Sequence, residues 1–205
     1  GEPARLLSGA LVSGNYFDQR GNRTVRVGFN VESVLLDGQT APWSRESIGN
    51  GVRVKIGDAD SYVSQGEHVY TIRYTTTRQL NFSNPNFDEL YWNVTGNGWI
   101  FPIRSATATV QLPPGVAATD TVFFTGPQGA TGKNARVDEA GAGLVFATTA
   151  PLAAGEGLTF AIRMPKGSID PPSADMESTW WLKDNRNYFI GFGGLILVFA
   201  YYTRS

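Results

Sequence analysis

The sixteen residues from Asp88 to Ile103, DELYWNVTGNGWIFPI, hold more side chains capable of chemistry than any other stretch of the chain. Asp88 and Glu89 could accept hydrogen bonds from sugar hydroxyls or peptide amides. Trp92 and Trp99 could offer flat surfaces on which a sugar ring or peptide stacks. The two carboxylates are a poor general acid/base pair, because neighbours on a strand point to opposite faces. The competing reading is structural. Leu90, Trp92 and Val94 alternate with polar residues, Thr95 to Gly98 suit a tight turn, and Trp99, Phe101 and Ile103 resume the alternation. That order predicts a hairpin closed by aromatic cross-strand pairs, with the tryptophans serving a core.

Other chemistry-bearing residues are sparse. Asp58 and Asp60 in GDADSY have the spacing of calcium-loop oxygens, but the rest of such a loop is missing, so a turn is the expectation and no metal is assigned. His68 is the one histidine. It lies at a strand start with no serine or carboxylate partner suggested nearby in sequence, and a hydrogen-bonding role is expected. GATGKN (Gly129 to Asn134) lacks the phosphate-loop pattern and reads as a flexible hairpin loop. The chain has no cysteine, which excludes disulfides, thiolate nucleophiles and zinc–thiolate sites. A net charge of −1 gives no reason to expect nucleic acid as a partner. No cofactor and no catalytic constellation are expected.

The elements that must carry these residues are strands. Apolar residues make up 41% of 205 residues, with 24 glycines and 11 prolines, a turn-rich and core-forming mixture. Val25, Val27, Phe29 and Val31 alternate with polar neighbours. So do Val52, Val54 and Ile56; Tyr70, Ile72 and Tyr74; Ala106, Ala108, Val110 and Leu112; and Leu158, Phe160, Ile162 and Met164. Period-two patterning between Gly, Pro and Asn predicts half-buried antiparallel strands. The fold class is all-β, an Ig-like antiparallel β-sandwich in two halves, residues 1–103 and 104–170.

After Ile169 the character changes. Residues 171–186 begin with Pro171 and Pro172 and read as a linker. From Tyr188 to Tyr202 there are fifteen residues without a charge. As a helix they would span about 22 Å, short of the bilayer core of about 30 Å. A buried strand or core helix competes with a transmembrane helix over 187–203. Tyr188 and Tyr202 bracket the run like interfacial aromatics, Gly191 and Gly194 suit a lipid helix, and Leu195 lies at its apolar centre. These features favour the span. The N-terminal GEPARLLSGALVSG lacks the apolar core of a signal peptide.

GNRTVRVGFNVESVLLDG (Gly21 to Gly38), NGVRVKIGDADSYVSQGEHVYTIRYTTTRQL (Asn50 to Leu80), DELYWNVTGNGWIFPI and PLAAGEGLTFAIRMPKGSI (Pro151 to Ile169) together resemble the bacterial predicted membrane proteins grouped as domain-of-unknown-function family 2207. The resemblance implies an exported β-rich domain followed by a membrane span, within a longer protein. It carries over no activity and no catalytic residues.

These readings combine into a membrane-tethered, extracytoplasmic β-sandwich module, non-enzymatic, serving as an interaction or structural part of a cell-envelope protein. Its expected partners are the lipid bilayer, through the C-terminal helix, and a protein in the membrane or envelope. A carbohydrate- or cell-wall-binding or hydrolase-like domain is one alternative, requiring an exposed Trp92 or Trp99. A subunit of a membrane complex, packing through the glycine face of the helix, is the other.

Overall fold

The computed structural model describes residues 7–9, 16–18, 23–25, 27–48, 51–58, 63–141 and 143–204. Among them run Leu7–Gly9 (β1), Tyr16–Asp18 (β2), Arg23–Val25 (β3), Phe29–Leu36 (β4), Gln39–Thr40 (β5), Trp43–Ile48 (β6), Gly51–Ile56 (β7) and Tyr70–Thr76 (β8). Then follow Leu80–Asn81 (β9), Phe87–Asn93 (β10), Thr107–Gln111 (β11), Asp120–Gly126 (β12), Ala135–Ala140 (β13), Gly143–Thr148 (β14), Gly157–Pro165 (β15) and the helix Ala174–Arg204 (α1). The strand pairings are antiparallel throughout. The chain divides into two compact units, Gly1–Ile169 and Asp170–Ser205.

Among the described residues the first unit is all-β, with an N-terminal core and a C-terminal one made of two adjoining clusters. In the N-terminal one, the sheet β5-β4-β8 shares a core with the sheet β1-β7-β6. Val52, Val54 and Ile56 point inward from β7, as their alternation predicts, and meet Phe29 and Val34. The alternation in β4 is interrupted. Phe29 and Val31 face the core, and so do Val34 and Leu36, which have the opposite parity. A register shift between Val31 and Ser33 in the pairing with β8 accounts for this, since one extra residue turns the rest of a strand over. β4 and β5 are joined by Asp37-Gly38, both with positive φ, the two-residue turn that fits strand twist.

In the C-terminal core, the sheet β12-β15-β10-β9 packs on the sheet β11-β14-β13. β15 is central. Leu158, Phe160, Ile162 and Met164 are all buried, and Phe160 stacks on Phe146 of β14 at 4.5 Å. This core recruits Leu80, Leu90 and Trp92. The division between the two cores therefore falls between Thr76 and Leu80, not at residue 103, because β10 takes its partners from later in the chain.

The second unit corrects the expected linker. Helix α1 begins at Ala174, inside 171–186. Ser173 caps it: its Oγ accepts from Met176 N at 3.3 Å and its carbonyl from Glu177 N at 2.9 Å. Asp175 and Glu177 add negative charge to the first turn, where the helix dipole favours it. The expected span at 187–203 is helical. However, no helix among the described residues is long and apolar enough to cross a membrane. Length is not the shortfall, since α1 has 31 residues. Lys183, Asp184 and Arg186 precede the uncharged run and Arg204 follows it, while three glycines and three tyrosines dilute it.

Candidate functional site

β10 separates the two carboxylates as strand geometry requires. Asp88, Leu90 and Trp92 turn toward the C-terminal core, and Phe87, Glu89, Tyr91 and Asn93 lie on the opposite face. Asp88 is fully buried. Its Oδ1 accepts from Lys166 Nζ at 2.8 Å, and its Oδ2 from Gly167 N at 3.0 Å. Lys166 also donates to the Phe82 carbonyl at 2.6 Å. Both carboxylate oxygens are thus used to fasten the end of β15 to the start of β10. A ligand would have to displace Lys166 or Gly167 to reach them.

Glu89 occupies a different setting. Glu89, Arg163 and Asp120 stand directly opposite one another across β10, β15 and β12. Arg163 donates to Glu89 Oε2 at 3.3 Å and to Asp120 Oδ2 at 2.9 Å, with its guanidinium 4.7 Å from the Phe87 ring centre. One row further on, Tyr91 pairs with Ala161 and is 56% exposed. The outer face of this sheet therefore presents an exposed phenol beside a pinned charge row. That arrangement can stack on a flat ligand and hydrogen-bond its edge.

The second arm of the expected hairpin does not form. β10 pairs with β15 and β9, and residues 99–103 are irregular apart from the single bridge Ile103 to Leu152. Side chains close the bend instead. Gly96 N donates to Asn93 Oδ1 at 2.9 Å, and Trp99 Nε1 to the Thr95 carbonyl at 2.7 Å. Thr95 Oγ1 accepts from Leu158 N at 3.0 Å, and Asn97 Nδ2 reaches the Gly126 carbonyl at 3.0 Å. The bend lies so close to Gly157 that an added Cβ there would sit 2.8 Å from the Gly96 carbonyl oxygen. Trp92 packs into the core and Trp99 is half-buried, whereas Ile100 and Phe101 are 79% and 68% exposed. The exposed rings of the motif are Tyr91 and Phe101, not the tryptophans singled out from sequence. Alternation from Leu90 already put Tyr91 on the outer face, and that was the available signal.

Asp37, His68 and Ser64 bring together the residue types of a hydrolytic triad, a grouping the sequence did not suggest. The geometry differs from a triad. His68 Nδ1 lies 2.7 Å from Asp37 Oδ2, but Nε2 lies 2.7 Å from the Ser64 carbonyl, not its hydroxyl. No proton can be drawn from a nucleophile by that nitrogen as placed. Asp58 lies just after β7, and Asp60 is outside the described residues. Among the described residues no group of three or more His, Asp or Glu side chains could hold a metal ion. In α1, Tyr188, Leu195 and Tyr202 are exposed, and an added Cβ at Gly191 or Gly194 would meet nothing within 4 Å.

Residues 9–164 match the family described as predicted membrane protein (DUF2207) N-terminal domain. The chain belongs to this family. The match ends within β15, so α1 lies beyond the matched residues. The chain is also 29% identical over 117 residues to the uncharacterized protein YciQ of Escherichia coli (strain K12), covering 56% of this chain. It spans 18% of that relative's length. No solved structure matches the chain.

Proposed function

We propose that the protein is a membrane-attached, extracytoplasmic β-sandwich module that acts by interaction rather than catalysis, as part of a larger cell-envelope protein. The observation that carries this reading is α1. From Tyr188 to Tyr202 it has no charge, and Ile190, Leu195 and Phe199 are each about 70% exposed. Large apolar side chains left bare along a helix need a cover, and lipid supplies one. The family's description as membrane proteins supports lipid as that cover. At about 22 Å the uncharged stretch alone is shorter than a bilayer core, so flanking residues must complete a crossing, or the helix inserts partway.

The test is flotation with liposomes, comparing the whole chain with a Leu195→Glu, Phe199→Glu variant. The wild type is expected to float and the variant to stay at the bottom of the gradient. A wild type that stays down would end the lipid reading. Orientation can be read by placing single cysteines in a chain that has none and labelling cells with a membrane-impermeant maleimide. A cysteine replacing Thr107, exposed on β11, should react in intact cells.

A second reading, glycan recognition, rests on the outer face of the β12-β15-β10-β9 sheet. Tyr91 is exposed there beside Glu89, Arg163 and Asp120. A pyranose could stack on Tyr91 while its hydroxyls meet the charged row. Cell-wall fragments that bind the wild type but not Tyr91→Ala would support it.

A further inference from the structure

His68 is held from both sides by acceptors. Asp37 Oδ2 faces Nδ1 at 2.7 Å and the Ser64 carbonyl faces Nε2 at 2.7 Å. A neutral imidazole has one N–H and can satisfy one of these; the imidazolium satisfies both. Asp37 is itself committed to the same junction. Its Oδ1 accepts from Val69 N at 2.8 Å, and its own N donates to the Val69 carbonyl at 2.8 Å. It sits at a positive φ of 51° in the β4–β5 turn. We propose that Asp37, His68 and the Ser64 carbonyl form a proton-operated staple. It holds residues 63–69 against the β4–β5 turn while the ring carries both protons, and slackens when one is lost.

The titratable groups on the elements that meet here are Asp37 on the turn, Glu67 beside His68, Tyr70, Arg73 and Tyr74 on β8, and Glu32 on β4. Among these, Asp37 is the one whose charge acts on the ring. The hydrogen bond the ring donates to Asp37, then the one it donates to the Ser64 carbonyl, raises its pKa above the ordinary 6.5. The bond from His68, then the Val69 amide, lowers the Asp37 carboxyl below 3.8. The signs agree. The histidine's contribution is fully present below pH 6.5 and is lost as pH rises through its raised value. The aspartate's is present above 3.8 and is lost as pH falls through its lowered value. The staple is therefore firmest in mildly acidic solution and opens toward alkaline pH. A domain facing the outside of a cell would feel that change directly.

With one histidine in the chain, its ring proton resonances titrate without ambiguity. The whole chain in detergent should show a midpoint above 6.5, and Asp37→Asn should lower it. Asparagine tolerates positive φ, so this variant keeps the turn. The protection factor of the Val69 amide should fall several-fold as pH crosses the midpoint. In His68→Gln it should stay constant from roughly pH 5.5 to 8.5. A wild-type midpoint at or below 6.5 overturns the proposal. So does a midpoint unmoved by Asp37→Asn, or a fall in Val69 protection that His68→Gln shares.

Discussion

β15 and α1 are both built on large apolar residues, and they treat them in opposite ways. Leu158, Phe160, Ile162 and Met164 of β15 are buried to within 2% of completely, while Ile190, Leu195 and Phe199 of α1 stand about 70% exposed. In β15 the period of two sends every second side chain into a core shared with β14, and the outer face keeps Thr159 and Arg163. In α1 no polar stripe divides the uncharged stretch, so no single face can be tucked away. Apolar content alone therefore does not distinguish the two. The pattern decides whether the protein supplies its own cover or needs one from outside.

The largest effect is expected at Phe160. Phe160→Ala removes the ring stacked on Phe146 and should cost about 3–5 kcal/mol of the β unit's stability, read by urea unfolding. Next is the fastening of β15 to β10. Asp88→Ala leaves Lys166 without its carboxylate and Gly167 N without its acceptor, at a cost of about 2–4 kcal/mol. Gly157→Ala should cost about 1–3 kcal/mol, since the new methyl meets the backbone of the 95–98 bend and not a yielding side chain. On the outer face of the same sheet, Glu89→Gln should cost at most about 1 kcal/mol, because the pair with Arg163 is partly exposed and screened. The smallest effect is expected in α1. Leu195→Glu in α1 should change thermal unfolding of the β unit by less than about 0.5 kcal/mol, yet weaken flotation with liposomes. A loss of several kcal/mol there would mean that α1 packs against protein.

The strands were legible because their patterning is local. Val52, Val54 and Ile56, and the four inward residues of β15, lie where alternation puts them. Val34 was not legible, because the register shift after Val31 depends on the pairing with β8, some forty residues away. The hairpin expected at Thr95–Gly98 failed for a related reason. The bend exists, with Gly96 at positive φ, but a turn does not choose a strand's partner, and β10 found its partner in β15. Of the proposed ligand residues, sequence separated Asp88 from Glu89 correctly by face. It could not foresee that Lys166 and Gly167 would close over Asp88, because their proximity is made by the pairing of β10 with β15. The start of α1 was readable: Ser173 followed by Asp175 and Glu177 is a helix-start signal, overshadowed by the two prolines before it.

The central place of β15 has a consequence for how the chain comes to be folded. β10 and β12 do not touch across their sheet; β15 lies between them, and it is the last strand of the unit. A chain emerging from its N-terminus cannot close the C-terminal core until residues 157–165 arrive to join partners such as Trp92, 68 positions earlier by their numbers. Contacts of such long separation make slow folding. Until then Leu90, Trp92 and Phe123 have no finished core to enter. The N-terminal sheets carry no such delay, because all their pairings lie within residues 7–76, so the two cores of one unit close on different clocks.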